Sequence, residues 1–520
     1  MRAAALVGAV AVLGAAVVAA VARAGGDHLA PPARISAPTA RVSAPPTAAQ
    51  SGAAPTLLRW KPCGAAECSM LTVPLDWSGR DPAAVGRTVP IAVLRLHATG
   101  PRGQRIGSLV INPGGPGESG VAFVRDHADL LPAALRARFD IVGFDPRGVG
   151  SSMPVRCLSD GQLDSQDQLP PYPAGAPEQQ QLIQAATSEA FACAKALGPA
   201  LGHLATVDVA RDLDSLRAGL GEQTLSYLGY SYGTAIGAAY AEAFPTRIRA
   251  LVLDGAIDPR QSGTGMLRAQ AAGFEGAFHA FADWCAGNDH CVFGARLSGG
   301  TAVLAAYDRL AAAVRGAPLS VGTRQLGSGE FTLGVFVTLY SKEQGWPALG
   351  YALERAANGD GSVLLRLADA YVERDAAGHH SNLSEANLAV NCLDRPWPRR
   401  AADYAALAAD LARTDPRFGQ TIAWSGLGCL SWAAPAVTTP HAIRADGSPP
   451  ILVVGTTRDP ATPYAQAVAL ASQLDNGVLL SADGDGHTAY RATGNPCVIK
   501  VVDDYLLSLR TPPRQGGAHC

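Results

Sequence analysis

Three residues of this 520-residue chain have the types and the order needed to activate a hydroxyl. Ser231 lies in Gly229-Tyr230-Ser231-Tyr232-Gly233, a G-x-S-x-G pattern between an apolar run and a small-residue run. In a nucleophile elbow the serine sits on a strained strand-to-helix turn, and small flanking residues leave room for that turn. A serine hydroxyl is a weak nucleophile near neutral pH. It needs a base to take its proton and a third group to orient that base. His487 follows the last apolar strand candidate in a Gly-rich loop, and Asp459 follows the strand candidate before it. The order Ser, Asp, His suits a serine, an acid and a base carried on successive strand ends. Asp254 and Asp258, just after an earlier strand candidate, are rival acids; Asp485, two residues before His487, is better placed to shape the turn.

Such a nucleophile also needs two preorganised N–H donors for the developing oxyanion. The backbone N–H of Tyr232 is one candidate. The second is expected from the loop Pro113-Gly114-Gly115-Pro116-Gly117, at Gly114 or Gly115. No metal or organic cofactor is required. The ten cysteines contain no C-x-x-C pair or Cys/His cluster at zinc spacing, so disulfides in an oxidising compartment are expected instead. Pairing sequence neighbours closes five local loops: Cys63–Cys68, Cys157–Cys193, Cys285–Cys291, Cys392–Cys429 and Cys497–Cys520. The sequence leaves the connectivity open.

The elements that must hold these groups alternate. Residues 71–77 and 89–96 read as strands. Residues 107–112 and 139–145 are apolar strands, each running into a Gly-rich loop, with a helical pattern over 121–138 between them. An amphipathic helix is expected over 207–219, and further strands at 248–254, 450–455 and 477–481. Buried strands alternating with helices predict an α/β fold with a mostly parallel sheet covered on both faces. The rhythm stops between residues 259 and 449, where helical segments (271–286, 301–315, 346–357, 401–413) suggest an inserted helical cap. The expected division is therefore a core over 56–258, a cap over 259–449 and a closing core segment over 450–520.

Hydrophobic residues are 48% and charged residues 17%, which suits a globular chain. A net charge of −2 without a long basic run argues against nucleic acid as partner. Residues 1–24, with Arg2, an apolar run and Ala22-Arg23-Ala24, read as a cleaved export signal and hence a secreted protein; an uncleaved membrane anchor is the alternative. Residues 25–55, rich in Pro, Ala, Ser and Gly, read as a disordered linker. Oligomeric state leaves no trace.

Five motifs together resemble the secreted tripeptidyl aminopeptidases, relatives of prolyl aminopeptidases. They are residues 112–120 (Asn-Pro-Gly-Gly-Pro-Gly-Glu-Ser-Gly), 144–152 (Phe-Asp-Pro-Arg-Gly-Val-Gly-Ser-Ser), 229–233, 459–463 (Asp-Pro-Ala-Thr-Pro) and Gly486-His487. The resemblance spans about Trp60 to Cys520, and the Cys497 to Cys520 spacing is similar to that family's C-terminal pair. It implies an α/β-hydrolase core, a helical cap, and a serine exopeptidase that releases short peptides, typically tripeptides, from free N-termini. Selecting an α-ammonium needs a carboxylate of fixed position. Glu343, Asp394 and Glu118 are the candidates. A secreted carboxylesterase or lipase-like hydrolase on the same machinery is the rival reading, since fold does not fix substrate; a non-catalytic binding protein is the third.

Overall fold

The computed structural model describes residues 58–520 except 296, 492 and 515. The expected export signal and linker lie outside the described residues. Twelve strands are β1 (Lys61–Cys63), β2 (Ala66–Pro74), β3 (Thr88–Leu96), β4 (Gly107–Asn112), β5 (Phe139–Phe144), β6 (Leu225–Tyr230), β7 (Ile248–Asp254), β8 (Leu319–Val321), β9 (Arg324–Leu326), β10 (Ile451–Arg458), β11 (Gly477–Asp485) and β12 (Ala518–His519). Ten of them form one sheet in the order β1-β2-β3-β5-β4-β6-β7-β10-β11-β12. The edge β1-β2-β3 is antiparallel, β3 meets β5 antiparallel, and every pairing from β5 to β12 is parallel.

Every residue of β4, β5 and β6 is buried, as expected where helices cover both faces. Alternate side chains feed two apolar clusters. Val110, Leu251, Leu253, Ile451 and Val453 belong to one; Leu109, Ile111, Ala250, Val252, Leu452 and Val454 belong to the other. Helices Thr206–Gly219, Tyr232–Ala243 and Tyr464–Gln473 cover the first face, and Gly120–His127, Ala133–Arg138 and Pro496–Ser508 the second. The pattern over 121–138 is two helices, not one. Pro132 interrupts it, because proline lacks the N–H that a helix interior uses.

A third apolar cluster lies outside the sheet, within helices such as Gly263–Ala286, Ser328–Leu339 and Leu383–Asp394. It also takes Leu182, Ala185, Ala186 and Ala190 from helix Ala176–Leu197, which precedes β6. The roof therefore draws on a segment that the sequence pattern grouped with the core. The hairpin β8-β9 is the one sheet in this region.

The ten cysteines form five disulfides, each between sequence neighbours. Cys497–Cys520 ties the C-terminal segment down, so Ala518–His519 is a parallel edge strand on β11 instead of a frayed end.

Candidate active site

The carboxyl ends of β6, β10 and β11 lie on one rim of the parallel sheet. Each carries one residue of the expected set. Ser231 directly follows β6 with φ 52° and ψ −121°, a left-handed conformation that a serine adopts only under constraint. Three hydrogen bonds hold it there. Its N–H donates to the Asp254 carbonyl at 2.8 Å, and its own carbonyl accepts the Thr234 N–H and hydroxyl. The flanking glycines are required by close approach. A Cβ on Gly229 would lie 2.4 Å from the Gly233 carbonyl oxygen, and one on Gly233 would lie 2.8 Å from that of Asn112.

Asp459 and His487 meet directly. His487 Nδ1 lies 2.8 Å from Asp459 Oδ2 and 2.9 Å from Oδ1, with both side chains buried. Asp459 is itself fixed, because Oδ1 accepts the N–H groups of Ala461 and Thr462, and Oδ2 accepts the Thr462 hydroxyl and the Thr488 N–H. The Nδ1 contact with a carboxylate fixes the tautomer that leaves Nε2 as an acceptor. Nε2 is buried and makes no hydrogen bond among the described residues. A ring nitrogen in that state is available to take a proton. In unliganded sites the bond from nucleophile to base is often long and tightens with substrate.

The rival acids do other work. Asp254 accepts the N–H groups of Ala489 and Tyr490 and so secures the loop after His487; burial pushes its carboxyl up to about 6. Asp258 accepts from Arg260 and from the Gln473 amide. Asp485 pairs with Lys342 and Arg458, an anchor between roof and core.

For the oxyanion, Tyr232 opens helix Tyr232–Ala243, so its N–H has no partner within the helix. Gly114 packs against the elbow, where a Cβ would lie 2.9 Å from Ser231 Cβ. Its N–H, however, donates to Asn112 Oδ1 at 3.1 Å. Gly115, by contrast, lines the cavity above Ser231. The second Gly-rich loop braces this one. Asp145 accepts the Ser119 hydroxyl and the N–H groups of Val121 and Ser151. Arg147, fully buried, makes a two-pronged ion pair with Asp212 at 2.7 Å and donates to three carbonyls.

The roof closes over Ser231 and leaves a cavity of about 100 Å³. Gly115, Tyr232, Tyr340, Asn387, Asn391 and Trp397 are among its walls. Asn387 donates to the Pro116 carbonyl at 3.1 Å, which fastens the roof to the Gly-rich loop. Tyr340 packs edge-on to His487, and its carbonyl accepts the His487 N–H.

None of the three acids expected to meet a substrate ammonium lines this cavity. Glu343 is exposed, 3.7 Å from Arg491. Asp394 is turned to Thr206, accepting its N–H at 2.8 Å and its hydroxyl at 2.6 Å. Glu118 is buried, and desolvation with a through-space push from Glu373 holds its carboxyl well above the usual range. The carboxyl that does line the cavity is Glu189, on helix Ala176–Leu197. It is 4% exposed, and burial pushes it up to about 8 against a hydrogen bond from Gln166. Sequence reading missed it because nothing local marks a glutamate on a helix far upstream of the elbow. Among the described residues no group of acids, histidines and cysteines is arranged to hold a metal ion.

The chain is similar to several known proteins. Residues 107–490 match the family model described as alpha/beta hydrolase fold. Serine protease Hip1 of Mycobacterium tuberculosis is 37% identical over 495 residues, covering 89% of this chain and 91% of that protein. Tripeptidyl aminopeptidase of Streptomyces lividans is 32% identical over 473 residues, covering 88% and 85%. Carboxylesterase B of M. tuberculosis is 37% identical over 459 residues, covering 86% and 85%.

Proposed function

The chain belongs to the alpha/beta hydrolase family and is a serine hydrolase, and from that premise we propose that it is an exported exopeptidase that releases short peptides, tripeptides in the first instance, from free N-termini. Ser231 Oγ attacks the scissile carbonyl while His487 Nε2 takes its proton. Asp459 holds the imidazole and stabilises its charged form. The oxyanion is held by the N–H groups of Tyr232 and Gly115. The intermediate collapses, the leaving amine takes the proton from Nε2, and water then cleaves the acyl-enzyme by the same relay.

The observation that carries the exopeptidase reading is Glu189 in the roofed cavity with Ser231. The roof over Ser231 limits how much chain enters beyond the scissile bond. A buried carboxyl at the cavity wall, once ionised, meets an ammonium with an opposite charge of fixed position. The relatives named serine protease and tripeptidyl aminopeptidase support peptide substrates. Export is supported by five disulfides, which persist in oxidising compartments. No helix among the described residues is long and apolar enough to cross a membrane.

A relative named carboxylesterase favours the second reading, ester hydrolysis by the same groups. One assay separates them: a free-amino tripeptide anilide, its N-acetylated form and a short acyl ester. The exopeptidase reading expects the free-amino anilide to be turned over best. Equal turnover after acetylation, or preference for the ester, would overturn it. Labelling of the native chain by a fluorophosphonate probe, lost in Ser231→Ala, tests the nucleophile and the non-catalytic alternative together.

A further inference from the structure

Among the described residues, Arg395 is the one basic side chain on the wall of the cavity over Ser231. It follows helix Leu383–Asp394 and precedes Pro396. A residue before proline is pushed to extended backbone, and Arg395 has φ −155° and ψ 153°. It makes one side-chain hydrogen bond among the described residues. Nη1 donates to the Met266 thioether at 3.1 Å, a weak acceptor for a guanidinium. No carboxylate among the described residues reaches ion-pairing distance of it. Asp394, next in the chain, acts on it only through space, because both its oxygens are turned to Thr206.

A guanidinium carries five donors and cannot shed its charge in a protein. Arg395 is half-buried, and desolvation lowers its basicity against the through-space pull of Asp394. Glu189 offers no relief. Its charge is answered by the substrate ammonium, in the exopeptidase reading on which this inference rests. Once an N-terminus is seated, Arg395 remains a charged side chain of the lining without an ion-pair partner among the described residues.

We propose that Arg395 is a specificity residue that receives the carboxylate of an aspartate or glutamate side chain within the short peptide released. Its planar fork suits a carboxylate bidentately.

The test compares tripeptide anilides that are alanine throughout except for glutamate or glutamine at one of the three positions. The two side chains have nearly the same shape, so their ratio reads charge. At one position kcat/KM should favour glutamate by roughly tenfold or more, with the preference shrinking at high salt. Arg395→Gln should collapse that ratio towards one, and Arg395→Lys should keep part of it. A purely structural role would lower both substrates alike and leave the ratio standing. A ratio near one at all three positions in the native enzyme overturns the inference, with the exopeptidase reading intact. A ratio that survives Arg395→Gln overturns it too. No turnover of any of these anilides overturns the exopeptidase reading and this inference with it.

Discussion

The Tyr340 ring stands edge-on to the His487 imidazole at 5.2 Å, and the Tyr340 carbonyl accepts the His487 N–H at 2.8 Å. The roof therefore does more than cover the serine, because it fixes both the backbone and the ring face of the candidate base. Removing the ring keeps the carbonyl contact but frees the imidazole to tilt. Tyr340→Ala should lower kcat roughly ten- to a hundredfold, the scale of a misplaced catalytic group. Tyr340→Phe, which keeps the ring, should lose far less. Steady-state kinetics on the free-amino anilide decide it; an unchanged kcat in the alanine variant would show that the ring does not position His487.

Asp459 and Asp254 are both buried at strand ends, and their partners predict different losses. Asp459 faces His487 Nδ1, while Asp254 faces two backbone N–H groups beyond it. Asp459→Asn should keep the fold and lower kcat on the order of ten-thousandfold, since an amide no longer holds the working tautomer. Asp254→Ala leaves two buried donors unmatched, so it should show mainly as a lowered unfolding midpoint. Kinetics and thermal melts on both variants make the comparison. The reverse pattern would transfer the orienting role to Asp254.

The ion pair between Arg147 and Asp212 has no exposed face, with both side chains at 0% relative exposure. Removing one partner of such a pair leaves an uncompensated buried charge. Arg147→Met should cost about 3–5 kcal/mol of stability, read as a shift of the denaturant midpoint. The double change Arg147→Met with Asp212→Leu should recover much of that loss. A single variant as stable as the native chain would show that the loop does not depend on the pair.

The candidate elbow, acid and histidine could be picked out of the sequence because each is local: a glycine-flanked serine after an apolar run, or a polar residue just past a strand. The parallel sheet was legible for the same reason. What local pattern could not carry is the pairing of residues far apart. Asp394 reads as a free acid until Thr206, on another helix, is seen to occupy both its oxygens. Glu118 sits in the expected loop but is buried away from the cavity wall. Glu189, on helix Ala176–Leu197, and Arg395, just past helix Leu383–Asp394, acquire meaning only when segments from opposite sides of the elbow in the chain meet on one cavity wall. Gly114 and Gly115 were equivalent in sequence, and the hydrogen bond that the Gly114 N–H donates to Asn112 Oδ1 separates them.

Glu189 makes the proposed reaction and the fold respond to pH in opposite senses. Burial and the nearby Glu385 push its carboxyl up to about 8 from an ordinary 4.5, against the Gln166 hydrogen bond. Between those values the folded chain keeps a proton that the unfolded chain releases, so the native state binds more protons and stability falls as pH rises. One such proton changes the unfolding equilibrium about tenfold per pH unit, and the fall levels off above pH 8. Glu189→Gln should lose this component, so its melting midpoint should gain on the native protein from pH 5 to pH 8. Substrate binding runs the other way. An ammonium needs the ionised carboxylate, so KM for the free-amino anilide should fall as pH rises towards 8, until the substrate amine itself loses its proton. In Glu189→Gln that KM should be high and flat over the same range. Parallel melts and KM profiles on the two proteins test both limbs; a native KM that does not change between pH 6 and pH 8, with an unchanged KM in the glutamine variant, would remove Glu189 from N-terminus recognition.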